Sequence, residues 1–266
     1  MRKLATIVAA VVALLSTAVA FTTQPAGAQG ARIHLLHGIP GVDVDVEAGG
    51  SNVFEGFSFG DTQDLSSLAG ETLTGLKVKV AGTDTVAIEA GDVELPGSGN
   101  YTVIAHLDGD GTPSLAVFEN DTSTIAAGSG RIVVRHAAAA PAVDITANGD
   151  VAFSNVLNGQ EGSADLGAGT ISAGVVPTGE TSPVVIGPAD LPITDGSSLI
   201  VYAVGSLADE TLTVLTESIA DLGSAPAAVN TGNSPVGQSN TALVVVAGLA
   251  AAVALGFAPR LSRKRS

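Results

Sequence analysis

RIHLLHGIPGVDV, residues 32–44, returns as RIVVRHAAAAPAVDI, residues 131–145. Set side by side, Arg32, His37 and Asp43 take the places of Arg131, His136 and Asp144, with two residues added between His136 and Pro141. Self-similarity at a fixed period identifies the unit of folding. The match continues downstream. Phe59-Gly60 resembles Asn158-Gly159, Val78 to Gly82 sits where Val175 to Gly179 sits, and Leu115 to Phe118 matches Leu212 to Leu215. Two consecutive units of about a hundred residues follow, each long enough for its own core.

The units have the periodicity of strands. Val42-Asp43-Val44-Asp45-Val46-Glu47 alternates apolar and acidic residues, and Leu76-Lys77-Val78-Lys79-Val80 alternates apolar and basic ones. Such alternation puts one face of a strand on a core and the other in water. Further strands are expected at Tyr101 to Leu107, Leu115 to Phe118, Ile132 to Arg135, Val143 to Ala147, Ile171 to Val176, Leu199 to Val204 and Thr211 to Thr216. Asp108-Gly109-Asp110-Gly111 reads as a hairpin turn. No sustained 3.6-residue period runs between the two ends of the chain. The expectation is all-β: two tandem β-sandwich domains, Ig-like or similar, at residues 29–127 and 128–224.

The ends read as address signals. Arg2 and Lys3 precede an apolar run from Leu4 to Ala20, and small residues at Ala18 and Ala20, or at Ala26 and Ala28, offer cleavage sites. Residues 1–28 are therefore expected to be a signal peptide. Residues 225–240, rich in Ala, Asn, Gly, Ser and Pro, read as a flexible stalk. Residues 241–259 read as a single transmembrane helix. Its uncharged part, Ala242 to Ala258, has 17 residues and would span about 26 Å. Arg260, Arg263, Lys264 and Arg265 make residues 260–266 a basic cytoplasmic tail. The expected location is a single-pass type I protein of the cell membrane, its repeats outside the cytoplasm. A wall-sorting signal has a similar layout and is the alternative, although Thr231-Gly232 lacks the Leu-Pro that should precede it.

Composition narrows the function classes. Between the two ends lie five basic and all 26 acidic residues, a net charge of −21. That repels nucleic acid and anionic lipid. The absence of cysteine excludes disulfides, thiol catalysis and thiolate metal sites. With no tryptophan and few other aromatics, the cores must be built from Val, Ile, Leu and Ala.

The paired openings, with VIAHLDGDGTPSLAVFENDTS and VIGPADLPITDGSSLIVYAVGSL, resemble the bacterial surface family called domain of unknown function 4397. The resemblance covers most of Ala31 to Asp221. It implies a paired β-rich unit, a signal peptide, a C-terminal anchor and an envelope location. It supplies no activity and no catalytic residue.

The residues themselves point the same way. His37 and His136 end their first strands, where an imidazole can bond to the following proline-containing loop. His34 and His37 should face opposite sides of one strand, which argues against a shared metal. Asp43, Asp45 and Glu47 share a strand face and could hold Ca²⁺ weakly if a loop supplied more oxygens; a solvent-facing acidic stripe is the simpler reading. Asp108 and Asp110 partly resemble a calcium loop that lacks its closing glutamate. No nucleophile or phosphate-loop motif appears. The expectation is a non-enzymatic surface module without a cofactor, making structural or adhesive contact with an extracellular protein or glycan. A small-ligand or Ca²⁺-binding module is the alternative.

Overall fold

The computed structural model describes residues 30–224. The expected signal peptide, stalk, transmembrane helix and basic tail fall outside the described residues. Within them all regular structure is β-strand, apart from one 3-10 turn at Ser66–Leu68.

The first unit contains β1 (Arg32–His37), β2 (Val44–Ala48), β3 (Ser51–Phe57), β4 (Thr62–Asp64), β5 (Thr72–Val80), β6 (Val86–Glu94), β7 (Asn100–Leu107) and β8 (Pro113–Glu119). They form two four-stranded sheets, ordered β4-β1-β7-β8 and β3-β2-β5-β6. The second unit contains β9 (Ser129–Ala139), β10 (Val143–Ala147), β11 (Asp150–Val156), β12 (Glu161–Gly167), β13 (Gly169–Pro177), β14 (Ile186–Ile193), β15 (Ser198–Ser206) and β16 (Thr213–Ile219). Its sheets, β12-β9-β15-β16 and β11-β10-β13-β14, repeat the same order. Strands pair antiparallel except β1 with β7 and β9 with β15. The β2–β3 and β10–β11 hairpins turn through Gly49-Gly50 and Asn148-Gly149, all four at positive φ. This is the backbone that a two-residue turn between right-twisted strands requires.

Side chains on successive strand residues face opposite ways, and the cores follow from that rule. Ile33 and Leu35 of β1 pack with Val44, Phe57 and Val103 inside the first sandwich. Ile132 and Val134 of β9 pack with Val143, Ile145 and Val201 inside the second. The other faces of the same strands do not meet water. Leu36, Ile104 and Phe118 from the first unit join Val133, Ile200, Tyr202 and Leu215 from the second in a third core. The β1 and β9 sheets are thus covered on both faces, the usual setting for parallel pairing. The four sheets stack in the order of those containing β2, β1, β9 and β10, with the β2 and β10 sheets outermost.

The ladders correct the register read from sequence. Val44 pairs with Val80 and Phe57, and Val143 pairs with Pro177 and Val156, so Val44 and Val143 are equivalent. Asp144 therefore corresponds to Asp45, not to Asp43, and no residues are inserted between His136 and Val143. The error arose from matching Pro40 to Pro141, two loop residues that share a type but not a place. The last strand shifts as well. Tyr101 faces Glu119 and Leu199 faces Ser218, which makes Phe118 the counterpart of Glu217.

One glycine is fixed by packing. The Phe153 ring lies 2.3 to 2.7 Å from where a Cβ at Gly162 would stand. Gly162→Ala is expected to destabilise the protein by about 1–3 kcal/mol through overpacking. Urea unfolding would measure it, and an unchanged midpoint would contradict the packing described.

Candidate functional site

The charged side chains with the most internal partners meet in the third core. Glu217 on β16 is 6% exposed. Its carboxylate accepts hydrogen bonds from His34 Nδ1 at 2.9 Å, Thr102 Oγ1 at 2.9 Å and the Tyr202 hydroxyl at 2.9 Å. His34 and Thr102 belong to the first sandwich, so two of these three bonds cross the junction.

Arg135 on β9 is fully buried. It donates to Tyr202 OH at 2.8 Å, to Glu161 at 2.7 Å and to the Glu119 carbonyl across the junction at 3.3 Å. Its guanidinium lies 4.5 Å from the centre of the Phe118 ring, also across the junction, a favourable cation–π placement. Asn120 Nδ2 donates to Asn100 and Thr102, which extends the network along β7. Arg131, four residues before Arg135 on the same face of β9, binds Asp165 and Asp121.

Electrostatics sets the charges. The bond to Glu217 raises His34 above the ordinary imidazole value, against the effect of burial. Burial disfavours the Glu217 anion, but the bonds from His34 and Thr102 outweigh it and keep its pKa below normal. Burial, then the neighbouring Glu217 charge, pushes the Tyr202 phenol up, so it stays a neutral donor. Sequence reading passed over Glu217, Tyr202 and Thr102. They stand in ordinary strand alternation, and their counterparts Phe118, Ile104 and Ile200 differ in kind.

The residues singled out from sequence lie elsewhere. His37 Nε2 is 2.8 Å from the Val42 carbonyl, and His136 Nε2 is 3.0 Å from the Pro141 carbonyl. Each imidazole thus closes the loop after its strand. Gly60 and Gly159 donate to the carbonyls of the same two histidines. Burial lowers the pKa of His37, His136 and His106.

Asp45 and Asp144 form a second matched pair. Asp45 accepts from the backbone N–H of Gly56 and Gly82, and Asp144 from those of Asn155 and Gly179. These bonds, Gly82 and Gly179 first, hold both carboxylates below their usual pKa. Each aspartate ties two hairpins together.

Two members of the acidic stripe, Asp45 and Glu47, have partners within the protein. Asp45 spends both oxygens on backbone, Glu47 is paired with Lys79, and Asp43 stands on the exposed loop before β2. Asp108 Oδ1 accepts from Asp110 N and Thr112 N within its own turn. No three carboxylate or histidine groups converge on a metal position among the described residues. Arg32 faces the junction side of β1, as Arg131 does on β9.

Residues 31–146 match the family model described as Domain of unknown function (DUF4397). The match spans the first sandwich and continues through β9 to Thr146 in β10. It therefore includes His37, Asp45, His136 and Asp144, the residues that close loops and tie hairpins. That description names no activity. No match is found among curated proteins.

Two outcomes test the junction. Glu217→Ala strands His34 and Tyr202 and is expected to cost about 3–5 kcal/mol, whereas His34→Leu combined with Glu217→Leu should recover much of that loss. Chemical unfolding of the single and double variants decides it; an inert single variant would mean the network contributes nothing.

The second outcome concerns pH. The folded state keeps His37, His106 and His136 neutral, while the unfolded chain binds protons near pH 6.5. Stability is therefore present above pH 6.5 and falls as pH drops toward the lowered native values. His34 has the opposite sign: its contribution is full below pH 6.5 and is lost as pH rises through its raised value. Glu217 contributes above its unfolded pKa and loses that contribution as pH falls through its lowered native value. With three histidines against one, stability should decline from pH 7 to 5. His136→Gln should reduce that slope, as read from urea midpoints across the range.

Proposed function

We propose that this chain is a non-enzymatic cell-envelope protein, a tandem β-module for structural or adhesive contact with a protein or glycan outside the cytoplasm. Residues 1–28 serve as its signal peptide, residues 241–259 anchor it in the membrane, and residues 260–266 stay inside. The second unit counts as a further copy of the family matched by the first. It shares the strand order, the histidine that closes the first loop and the aspartate that ties two hairpins.

The observation that supports this reading best is the third core. It joins the two sandwiches through apolar packing and an ionic network. Histidines and carboxylates that could do chemistry are engaged in holding loops and sheets. A joined, acidic, cysteine-free pair of sandwiches suits a spacer or contact module, since its net charge of −21 keeps an exposed surface soluble.

Protease treatment of intact cells producing the full chain tests the location. Peptides from residues 30–224 should be released before lysis. Their protection until lysis would overturn an external module.

A further inference from the structure

The first sandwich is not filled. Between its sheets lies a cavity of about 240 Å³, lined only by Ala, Val, Leu and Phe, among them Leu73, Leu76, Ala90, Val93 and Phe54. Close-packed interiors rarely leave voids larger than a water molecule. Without disulfides to compensate, a void of this size is a costly feature in a core of about a hundred residues.

The second sandwich has the same strand order, yet the corresponding space between its sheets is about 80 Å³. One cause is visible in the register. Phe153 and Phe54 are equivalent, opposite Ile145 and Val46. Phe153 packs against Gly162. The matching position in the first unit is Gln63, which pairs with Leu35 as Gly162 pairs with Val134. A Cβ there denies Phe54 the same resting place, and Phe54 lines the cavity instead.

The cavity reaches the surface. Val53 and Val117, both on its wall, are 44% and 54% exposed. No charged side chain lines it, and the first unit as a whole, residues 29–127, carries fifteen acidic residues against three basic ones.

We propose that the first sandwich binds an uncharged hydrocarbon chain in this cavity. An apolar cavity of about 150 Å³ takes a six-carbon ring; scaled by volume, this one takes a chain of roughly ten carbons. The wall offers no partner for a polar head, and the unit's excess of carboxylates disfavours an anionic one. The ligand is thus a neutral amphiphile or the acyl chain of a neutral lipid, and not a free fatty-acid anion.

Methyl NMR of the full chain tests the site, with decan-1-ol, 1-decanoylglycerol and decanoate as the added molecules. Decan-1-ol should shift the Leu73, Leu76 and Val93 methyls saturably and leave those of Ile145 and Val201 unmoved. Decanoate should bind at least tenfold more weakly. Binding of the glyceride as well assigns the site to lipid chains, while binding of the alcohol alone assigns it to small free hydrocarbons. Ala90→Phe should fill the space, leave thermal stability equal or higher and abolish the shifts. No saturable shift in the unmodified protein, or equal shifts in both sandwiches, would overturn the proposal. So would undiminished binding in a folded Ala90→Phe variant.

Discussion

A carboxylate held out of water between two sheets governs this structure. Glu217 sits in the one layer that both sandwiches share, and an unpaired charge there would cost several kcal/mol. Three donors meet it, and two of them come from the opposite sandwich. The sandwiches can therefore dock in one register only, the one that brings His34 and Thr102 to Glu217. Apolar packing by Leu36, Ile104, Ile200 and Leu215 supplies the drive to associate, but apolar contact is non-directional. The ionic network supplies the orientation.

The shared layer also accounts for how the chain manages without disulfides. An isolated sandwich of about a hundred residues leaves much of its sheet surface in water. Here β1, β7, β9 and β15, the central strands of the two facing sheets, are buried on both sides. The linker contributes too. Ile125 is fully buried in the third core and pairs with Leu222, so the segment joining the units is stitched to the end of the second one. Arg131 reaches back to Asp121 in the same linker.

The fold class was legible because the central strands are apolar and β-branched. Every strand inside a sheet was visible as a pattern: β1, β2, β5, β7, β9, β10, β13 and β15. The strands that escaped notice, β3, β4, β6, β11, β12 and β14, all lie at sheet edges. Edge strands carry acids, glycine and proline, as in Glu161-Gly162-Ser163-Ala164-Asp165 of β12 and Gly187-Pro188 of β14. Those residues discourage further pairing and erase the alternation by which a strand is recognised. The histidines and aspartates of the repeat were legible as repeated residues. Their register was not, because Pro40 and Pro141 imposed a false alignment on a loop with no pattern of its own.

The junction was hidden for a different reason. Residues that serve their own unit alone do the same task twice, so His37 matches His136 and Asp45 matches Asp144. Apart from the arginines Arg32 and Arg131, residues facing the other unit differ between the copies, because they must fit together. His34 stands where β9 has Val133, Leu36 where it has Arg135, and Phe118 where β16 has Glu217. Arg135 packs on Phe118, and His34 bonds to Glu217. Had β1 carried an arginine at the place of Leu36, or β8 a glutamate at the place of Phe118, a further like charge would have been buried in this layer, and like charges at that depth repel strongly. Divergence on this face is thus the condition for a duplicated unit to dock on itself. It looks like noise in a comparison of the two copies, and it is where the specificity of the assembly resides.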